Sequence, residues 1–311
     1  MGSTTEGALR TRVYIDGYNL YYGCLKNSAH KWLDVRALIE RIFPSVLYEQ
    51  DGIPFRYEFC KPAVKYFTAP ILSAFARSED SVASQSQYHS ALRGHLGSDI
   101  QIITGYYDAR PARAHVWLEG KAAHACPKVE IWKLEEKQSD VALALHTLCD
   151  AILGHVDQIV VITNDSDFAP AMQMIREHTS VVLGVIAPVR ERDGSSRVNR
   201  ELDKYAHWTR THILDEEFAT SQLPPMVRLK NGAVHKPLSW YPCPELLLPV
   251  FEEAKRVRGS SGAARKWLNE PCKHLGNRVP IEMCTSQESA RELLGYMRKY
   301  AADCGVILAN T

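Results

Sequence analysis

The sequence predicts an α/β protein, a doubly wound parallel sheet followed by a second, smaller all-helical domain. Three observations carry this expectation. Ile159 to Ile162 is an unbroken apolar, mostly β-branched run, as suits a strand buried on both faces of a parallel sheet. Other short β-rich runs alternate with stretches of helical apolar spacing, the signature of a doubly wound sheet. Beyond a Pro-, Lys- and Asn-rich passage near Leu223 to Pro237, helical stretches take over.

The first strand is Arg12 to Asp16, ending in an acid and turning on Gly17. Trp32 to Phe43 carries Leu33, Ala37, Leu38 and Phe43 at helical spacing and stops at Pro44. Tyr57 to Phe67 holds strand-like runs around Pro62. Ser81 to His95 reads as a helix, and Ile100 to Thr104 as a further strand. Gly105 to Lys128 is the least regular stretch. Its Arg and Lys residues mix with Tyr106, Tyr107 and Trp117, as in single-strand nucleic-acid grooves, but a solvated insertion or hairpin explains it equally. Val129 to Lys133 is another short strand. The helix after it has Val141, Leu145, Leu148 and Ile152 at helical intervals, with Ser139 placed as N-cap. Pro170 suits the first turn of a helix over Ala169–His178. Ser180 to Ile186 is the last core strand.

Composition excludes several classes. At 45% hydrophobic and 23% charged, the 311-residue chain has the make-up of a globular protein with room for two domains. No apolar run reaches the ~18–20 residues that span a bilayer, and no signal-peptide core opens the chain. Glu6 stands where a myristoylation signal needs Ser or Thr. The eight cysteines form no C-x-x-C pair, which speaks against a zinc site and for reduced thiols, so a cytoplasmic location without membrane contact is expected. A net charge of +1 means that any polyanion is gripped locally.

The chemistry collects where strands end. In Thr163-Asn164-Asp165-Ser166-Asp167, two carboxylates follow the buried strand, and in extended chain residues i and i+2 point the same way. A turn in which Asp bonds its own backbone is the plain alternative. Asp16 ends the first strand, where it is a helix N-cap or a ligand. Asn19 either satisfies loop backbone or holds Asp16 or a phosphate. Asp140 lies in a first helical turn, where the dipole alone would favour it. Lys137 is a surface charge or a phosphate contact. Together Asp16, Asp140, Asp165 and Asp167 converge on the carboxyl edge of the sheet, where such folds bind ligands, and form an oxygen-only set for a hard cation.

Three of these segments, Val13-Tyr-Ile-Asp-Gly-Tyr-Asn-Leu20, Lys137-Gln-Ser-Asp-Val-Ala-Leu-Ala-Leu145 and Val160-Val-Ile-Thr-Asn-Asp-Ser-Asp-Phe-Ala-Pro170, resemble the motifs of the NYN domain, a branch of the PIN-like nucleases. The resemblance spans residues 12–215. It implies a PIN-like parallel sheet and a metal-dependent endoribonuclease that hydrolyses RNA phosphodiester bonds with Mg²⁺ or Mn²⁺. By position, Asp16, Asp140, Asp165 and Asp167 would be the metal acids and Asn19 the accompanying catalytic polar residue. The sequence departs from the family twice. Asn164 stands in place of Gly, a position expected to be left-handed. His146 stands in place of an acid six residues after Asp140, about 120° around the helix. His146 keeps open a rival reading, a non-catalytic RNA-binding or regulatory protein with a degenerate site.

Lys137, Arg190, Arg192, Arg197 and Arg200 are the expected substrate contacts, with Lys204 beside them. They are interleaved with acids, so solvated ion pairs compete with that role. The expected organisation is a flexible leader at 1–10, the nuclease domain at 11–222, a linker at 223–236 and a helical interaction domain at 237–311. In the last, Ala263, Trp267, Leu268, Pro271, Leu275, Gly276 and Pro280 resemble the toxin-binding domain of Xre–MbcA–ParS antitoxins. That resemblance implies a protein partner or self-association, while the same positions would also serve simply as helical core.

Overall fold

The computed structural model describes residues 8–303 apart from 47, 51–52, 55, 77, 79 and 191–196. Its chain divides into two compact units, Met1–Leu223 with Val227–Val234, and Pro224–Met226 with His235–Thr311. The first is built on a six-stranded parallel sheet. In chain order its strands are β1 (Leu9–Asp16), β2 (Tyr57–Thr68) and β3 (Ile100–Thr104), then β6 (Gln158–Ile162), β7 (Val182–Ile186) and β8 (Trp208–Arg210). The spatial order is β8-β7-β6-β1-β2-β3, so the order reverses between β1 and β6 and a crevice opens at their carboxyl ends.

Alternation along β1 distributes its side chains between two helical layers. Tyr14 faces a core shared with α4 (Ser139–Ile152), α5 (Ala169–His178) and α6 (Arg200–Asp203), which includes Leu143, Val161, Phe168, Met172, Ile175 and Leu202. Val13 and Ile15, both fully buried, point the other way, the side covered by α2 (Val35–Ile42) and α3 (Ser81–Leu96). The sheet is therefore doubly wound, as the sequence predicts. All five residues of β6 are buried, which accounts for its unbroken apolar run.

Three elements differ from expectation. Residues 105–137 form a long antiparallel ribbon of β4 (Tyr106–His115) and β5 (Lys128–Lys137), paired from Tyr106↔Lys137 to His115↔Lys128. Val129–Lys133 thus belongs to this ribbon and adds no strand to the main sheet. The sheet also extends one strand past β7, because Trp208–Arg210 pairs with Gly184–Ile186. And within the segment read as a linker, β9 (Met226–Leu229) pairs with β10 (Gly232–His235).

Helix α4 sits with its apolar stripe outward. Val141, Leu145 and Ile152 are exposed, while Leu143, Thr147, Asp150 and Ala151 face the sheet. The cause is a buried charge cluster. The Asp150 carboxylate accepts hydrogen bonds from Arg12 Nη1 at 2.7 Å, the Tyr14 hydroxyl at 2.5 Å and Lys65 Nζ at 2.6 Å. Arg12, Lys65 and Asp150 are each only 6% exposed, so none of these charges could be buried without the others. Burial alone would raise the Asp150 carboxyl, but the three donors outweigh it and hold it far below the usual range. At the other end of α4, the Ser139 hydroxyl donates to the Glu136 carboxylate at 2.6 Å, with the Thr68 carbonyl at the end of β2 3.3 Å away. The helix is pinned at both ends.

The second unit packs α8 (Pro244–Arg258), α9 (Ser261–Asn269), α10 (Pro280–Met283) and α11 (Gln287–Asp303) around Leu247, Val250, Trp267, Leu268, Leu293 and Met297. Ser260 caps α9 by accepting from Ala263 N–H. Among the described residues no helix is long and apolar enough to cross a membrane.

Replacing Asp150 by Ala leaves two buried cations facing each other. Chemical denaturation is expected to show a loss of about 3–5 kcal/mol; a loss below about 1 kcal/mol would mean that the cluster does not hold α4.

Candidate metal and nucleic-acid site

The crevice between β1 and β6 starts from Asp16, the last residue of β1. The chain turns directly from strand into α1 (Gly17–Leu20), and a Cβ on Gly17 would lie 2.6 Å from the Phe67 carbonyl, so only glycine fits the turn. Asp16 is 5% exposed and fully engaged. One carboxylate oxygen accepts from Asn19 N–H at 2.9 Å; the other accepts from Asn19 Nδ2 at 2.7 Å and Thr163 Oγ1 at 3.1 Å. Asp16 therefore is the N-cap that the sequence allows and also lies at the site. Burial pushes its carboxyl up, the three hydrogen bonds offset part of the rise, and the nearby charge of Asp165 adds to it.

Asp165 and Asp167 follow β6 in a tight turn rather than in extended chain. Asp165 accepts from the Asp167 N–H at 3.0 Å and caps the short 3₁₀ turn Ser166–Phe168. The plain turn reading and the site reading thus coexist. Asn164 is not left-handed, unlike the expectation drawn from the family's glycine. Its side chain works instead: Oδ1 accepts from Asn199 N–H at 2.7 Å and Nδ2 donates to the Arg197 carbonyl at 3.4 Å. Glycine could make neither bond. Asn19 Oδ1 accepts from Asn164 N–H at 3.3 Å, so Asn19 ties the two acidic loops together.

Asp140 comes from the first turn of α4. The cap of that helix is Gln138, in a left-handed conformation at φ 79°, and not Ser139. Ser139 is the first helical residue, and its hydroxyl donates to Glu136 at 2.6 Å. Partial desolvation, then the charges of Asp16, Glu136, Asp165 and Asp167, raise the Asp140 carboxyl to about 6. Asp140 thus lies within electrostatic reach of all three other predicted acids. Among the described residues, no three His, Cys, Asp or Glu side chains are close enough to grip an ion directly.

Two participants escaped the sequence reading. Thr163 orients Asp16, and Glu136 adds a fifth carboxylate beside Asp140. A third feature is aromatic. Tyr18 stands edge-on to Tyr107 at 5.8 Å and stacks on Tyr22 at 6.3 Å, and Tyr22 is 56% exposed with Lys26 Nζ 4.8 Å above its ring. The Tyr-Asn-Leu-Tyr-Tyr spacing after Asp16 was its only sequence signal.

The expected substrate contacts are scattered in role. Arg190 is held by Asp215 in two bonds of 2.6 Å. Lys137 pairs with Glu135 at 3.0 Å, and Lys133 and Lys137 together pull that carboxyl down to about 2. Arg192 lies outside the described residues. Arg197 and Arg200 are exposed beside the Asn164 loop, and Lys204 Nζ lies 4.9 Å over the Tyr205 ring. His146 is not at the acids: its Nδ1 is 3.4 Å from Lys65 Nζ and its ring meets Phe67 edge-on. Burial, then the Lys65 charge, keep its pKa below the usual imidazole value.

Fold and site together define a PIN-like α/β protein with an acidic crevice. The NYN domain model matches residues 10–209, and the chain belongs to the NYN domain family. The antitoxin Xre/MbcA/ParS C-terminal toxin-binding domain matches residues 253–298. The chain is 44% identical over 300 residues, 94% of its own length and 95% of the relative's, to a protein named 6-hydroxy-3-succinoylpyridine 3-monooxygenase HspA from Pseudomonas putida. A crystal structure of a protein of unknown function from Vibrio parahaemolyticus covers 70% of this chain and 99% of its own at 18% identity. Its TM-score of 0.40 is too low to define a shared fold.

The raised pKa of Asp140 has a measurable sign. Its carboxyl ionises only above about 6 in the folded state but near 3.8 when unfolded, so the stability tied to it is present below pH 3.8 and lost as pH rises through 6. Without divalent ions, Asp140→Asn should therefore raise the melting temperature at pH 7.5 by ~2–4 °C, corresponding to roughly 1 kcal/mol after solvent screening. The gain should shrink at pH 5. Scanning calorimetry of both proteins at both pH values checks this, and an equal gain at both would show that Asp140 is not under charge repulsion.

Proposed function

We propose that the protein is a metal-dependent ribonuclease that hydrolyses RNA phosphodiester bonds, with Asp16, Asp140, Asp165 and Asp167 holding Mg²⁺ or Mn²⁺. The observation that carries the reading is geometric: Asn19 and Thr163 tie the Asp16 and Asp165 loops together at the carboxyl edge of the sheet, with Asp140 beside them, its carboxyl raised to about 6 by partial desolvation and then by the charges of Asp16, Glu136, Asp165 and Asp167. Such a cluster is repulsive until a cation or protons enter it. The donors are oxygens alone, which suits a hard ion. When bound, the ion supplies Lewis acidity and a more acidic attacking water.

The chain's own residues do the positioning. Asn19 and Thr163 fix both oxygens of Asp16. Asn19 and Asn164 hold the loops of Asp16 and Asp165 in register. The exposed Tyr22 ring, stacked on Tyr18, offers a face for a base of the substrate, and Lys26 above it a phosphate contact. Arg197 and Arg200 are the phosphate contacts of choice, whereas Arg190 and Lys137 would first have to leave carboxylate partners. The C-terminal helices are proposed as an interaction module, binding another protein or a second copy, on the strength of the antitoxin-domain match.

A second reading has its own support. The 44% identity across both units to a protein named as a pyridine monooxygenase favours hydroxylation of a substituted pyridine.

One set of proteins separates the readings. Wild type should cleave single-stranded or structured RNA with Mg²⁺ or Mn²⁺ and stop with chelator. Asp16→Asn and Asp165→Asn should each slow cleavage at least ~100-fold, the order expected when several kcal/mol of metal assistance are lost. RNA bound without cleavage under every ion would leave a regulatory binder. Conversion of 6-hydroxy-3-succinoylpyridine with uptake of O₂ and an electron donor, and no RNA cleavage, would establish the second reading.

A further inference from the structure

The C-terminal unit contains a cavity of about 480 Å³ that neither family match assigns. It opens between the end of α8, α9 and α11. One wall is aromatic: Trp267 and Tyr296 lie parallel at 10° and 5.9 Å, with His274 stacked on Tyr296 at 6.2 Å. Tyr300 continues the wall, and the Arg258 guanidinium lies 4.2 Å over its ring. The rim carries Lys266 and Lys273, both exposed, against the single carboxylate of Glu270. Two donors at the cavity are buried without an acceptor among the described residues, Trp267 Nε1–H and Arg258 Nε–H.

Flat aromatic rings beside cations recognise a planar ring that carries an anion. We propose that this cavity binds one nucleotide of a single-stranded RNA, its base against the half-buried Tyr296 and Tyr300 rings, which the buried Trp267 backs, and its phosphate toward Arg258, Lys266 and Lys273. Stacking on aromatic side chains combined with a positive groove is the general chemistry of single-strand binding, and the volume lies in the range of ligand cavities. The net charge of +1 over the chain makes a local concentration of cations at an aromatic wall the more telling. This proposal goes beyond cleavage at the acidic crevice and stands without it.

The test uses the full chain with chelator present, so that cleavage plays no part. Anisotropy of a labelled six-nucleotide single strand measures affinity, and ¹⁵N-tryptophan spectra report the six indoles, with Trp267 assigned by Trp267→Phe. AMP should shift the Trp267 Nε1–H signal. The double variant Lys266→Glu/Lys273→Glu, confined to exposed residues, should weaken the oligonucleotide about tenfold at low salt and flatten the salt dependence. Tyr296→Ala should also cost about tenfold, while Tyr296→Phe, which keeps the ring, should bind as wild type. The proposal is overturned if the charge-reversed protein binds the oligonucleotide unchanged, or if AMP leaves the Trp267 signal in place. It is equally overturned if nicotinate moves that signal as well as AMP does, since the cavity would then select small aromatic acids.

Discussion

The placement of α4 depends on the Asp150 carboxylate. Two cations and a tyrosine hydroxyl reach it from β1 and β2, across sequence separations of 138, 85 and 136 residues. Burying Arg12 and Lys65 beneath a helix would be prohibitive without this counter-charge, and burying Asp150 would be so without them. The cluster therefore sets the rotation of α4 about its axis. Satisfying Asp150 turns Val141, Leu145 and Ile152 to the outside, against the pull of their own apolar area. Asp140 begins the same helix, ten residues and about 15 Å away. With Ser139 bonded to Glu136 at the end of the ribbon, Asp140 is delivered to the sheet edge where β1 ends in Asp16. His146 lies between the two, and the Lys65 charge beside it opposes its protonation.

At the edge itself the design is opposite in kind. Asp150 is surrounded by donors, whereas the crevice gathers carboxylates with few. Asp16 alone is fully hydrogen-bonded, which fixes its direction while leaving its charge in place. Asp140 is partly desolvated and lies within reach of the charges of Asp16, Glu136, Asp165 and Asp167, so its pKa rises where that of Asp150 falls. The same fold thus lowers the pKa of one acid, a structural rivet, and raises that of another.

What the sequence made legible follows from how local each cause is. The buried run of β6, the Pro170 start of α5 and the Asp140 turn are set by neighbours in the chain, and each stands where the spacing puts it. The ribbon β4–β5 was legible only as one of two readings, because its residues alternate weakly and all of them are at least partly exposed, so no apolar period marks it. Strand β8 has three residues, too few for any pattern. That Asp16, Asp140, Asp165 and Asp167 stand at strand ends and helix starts was legible from the local sequence. Their supporting cast was not: Thr163 and Glu136 matter only because β6 lies beside β1 and the ribbon returns to α4, and Asn164 matters through Asn199, 35 residues on. The Asp150 cluster could not be read at all, since its apolar-looking helix advertises the wrong face.

The donor set weighs on the tension between the family and the pyridine-hydroxylating relative. Redox-active non-haem iron sites that bind O₂ commonly combine imidazoles with a carboxylate, whereas oxygen-only sets favour Mg²⁺, Ca²⁺ or Mn²⁺. The crevice offers carboxylates and amides, and the nearest family position that could have carried an imidazole, His146, is turned toward Lys65 and Phe67 instead. Hydroxylation at this crevice would therefore have to draw its oxidising power from a group other than these side chains, whereas phosphodiester hydrolysis needs only a hard ion, water and a held substrate. The 44% identity runs through both units, so whichever chemistry operates must be compatible with the same pinned α4 and the same C-terminal helices. A hydrolytic crevice uses that rigidity directly, because fixed carboxylates keep their spacing while the charge between them changes.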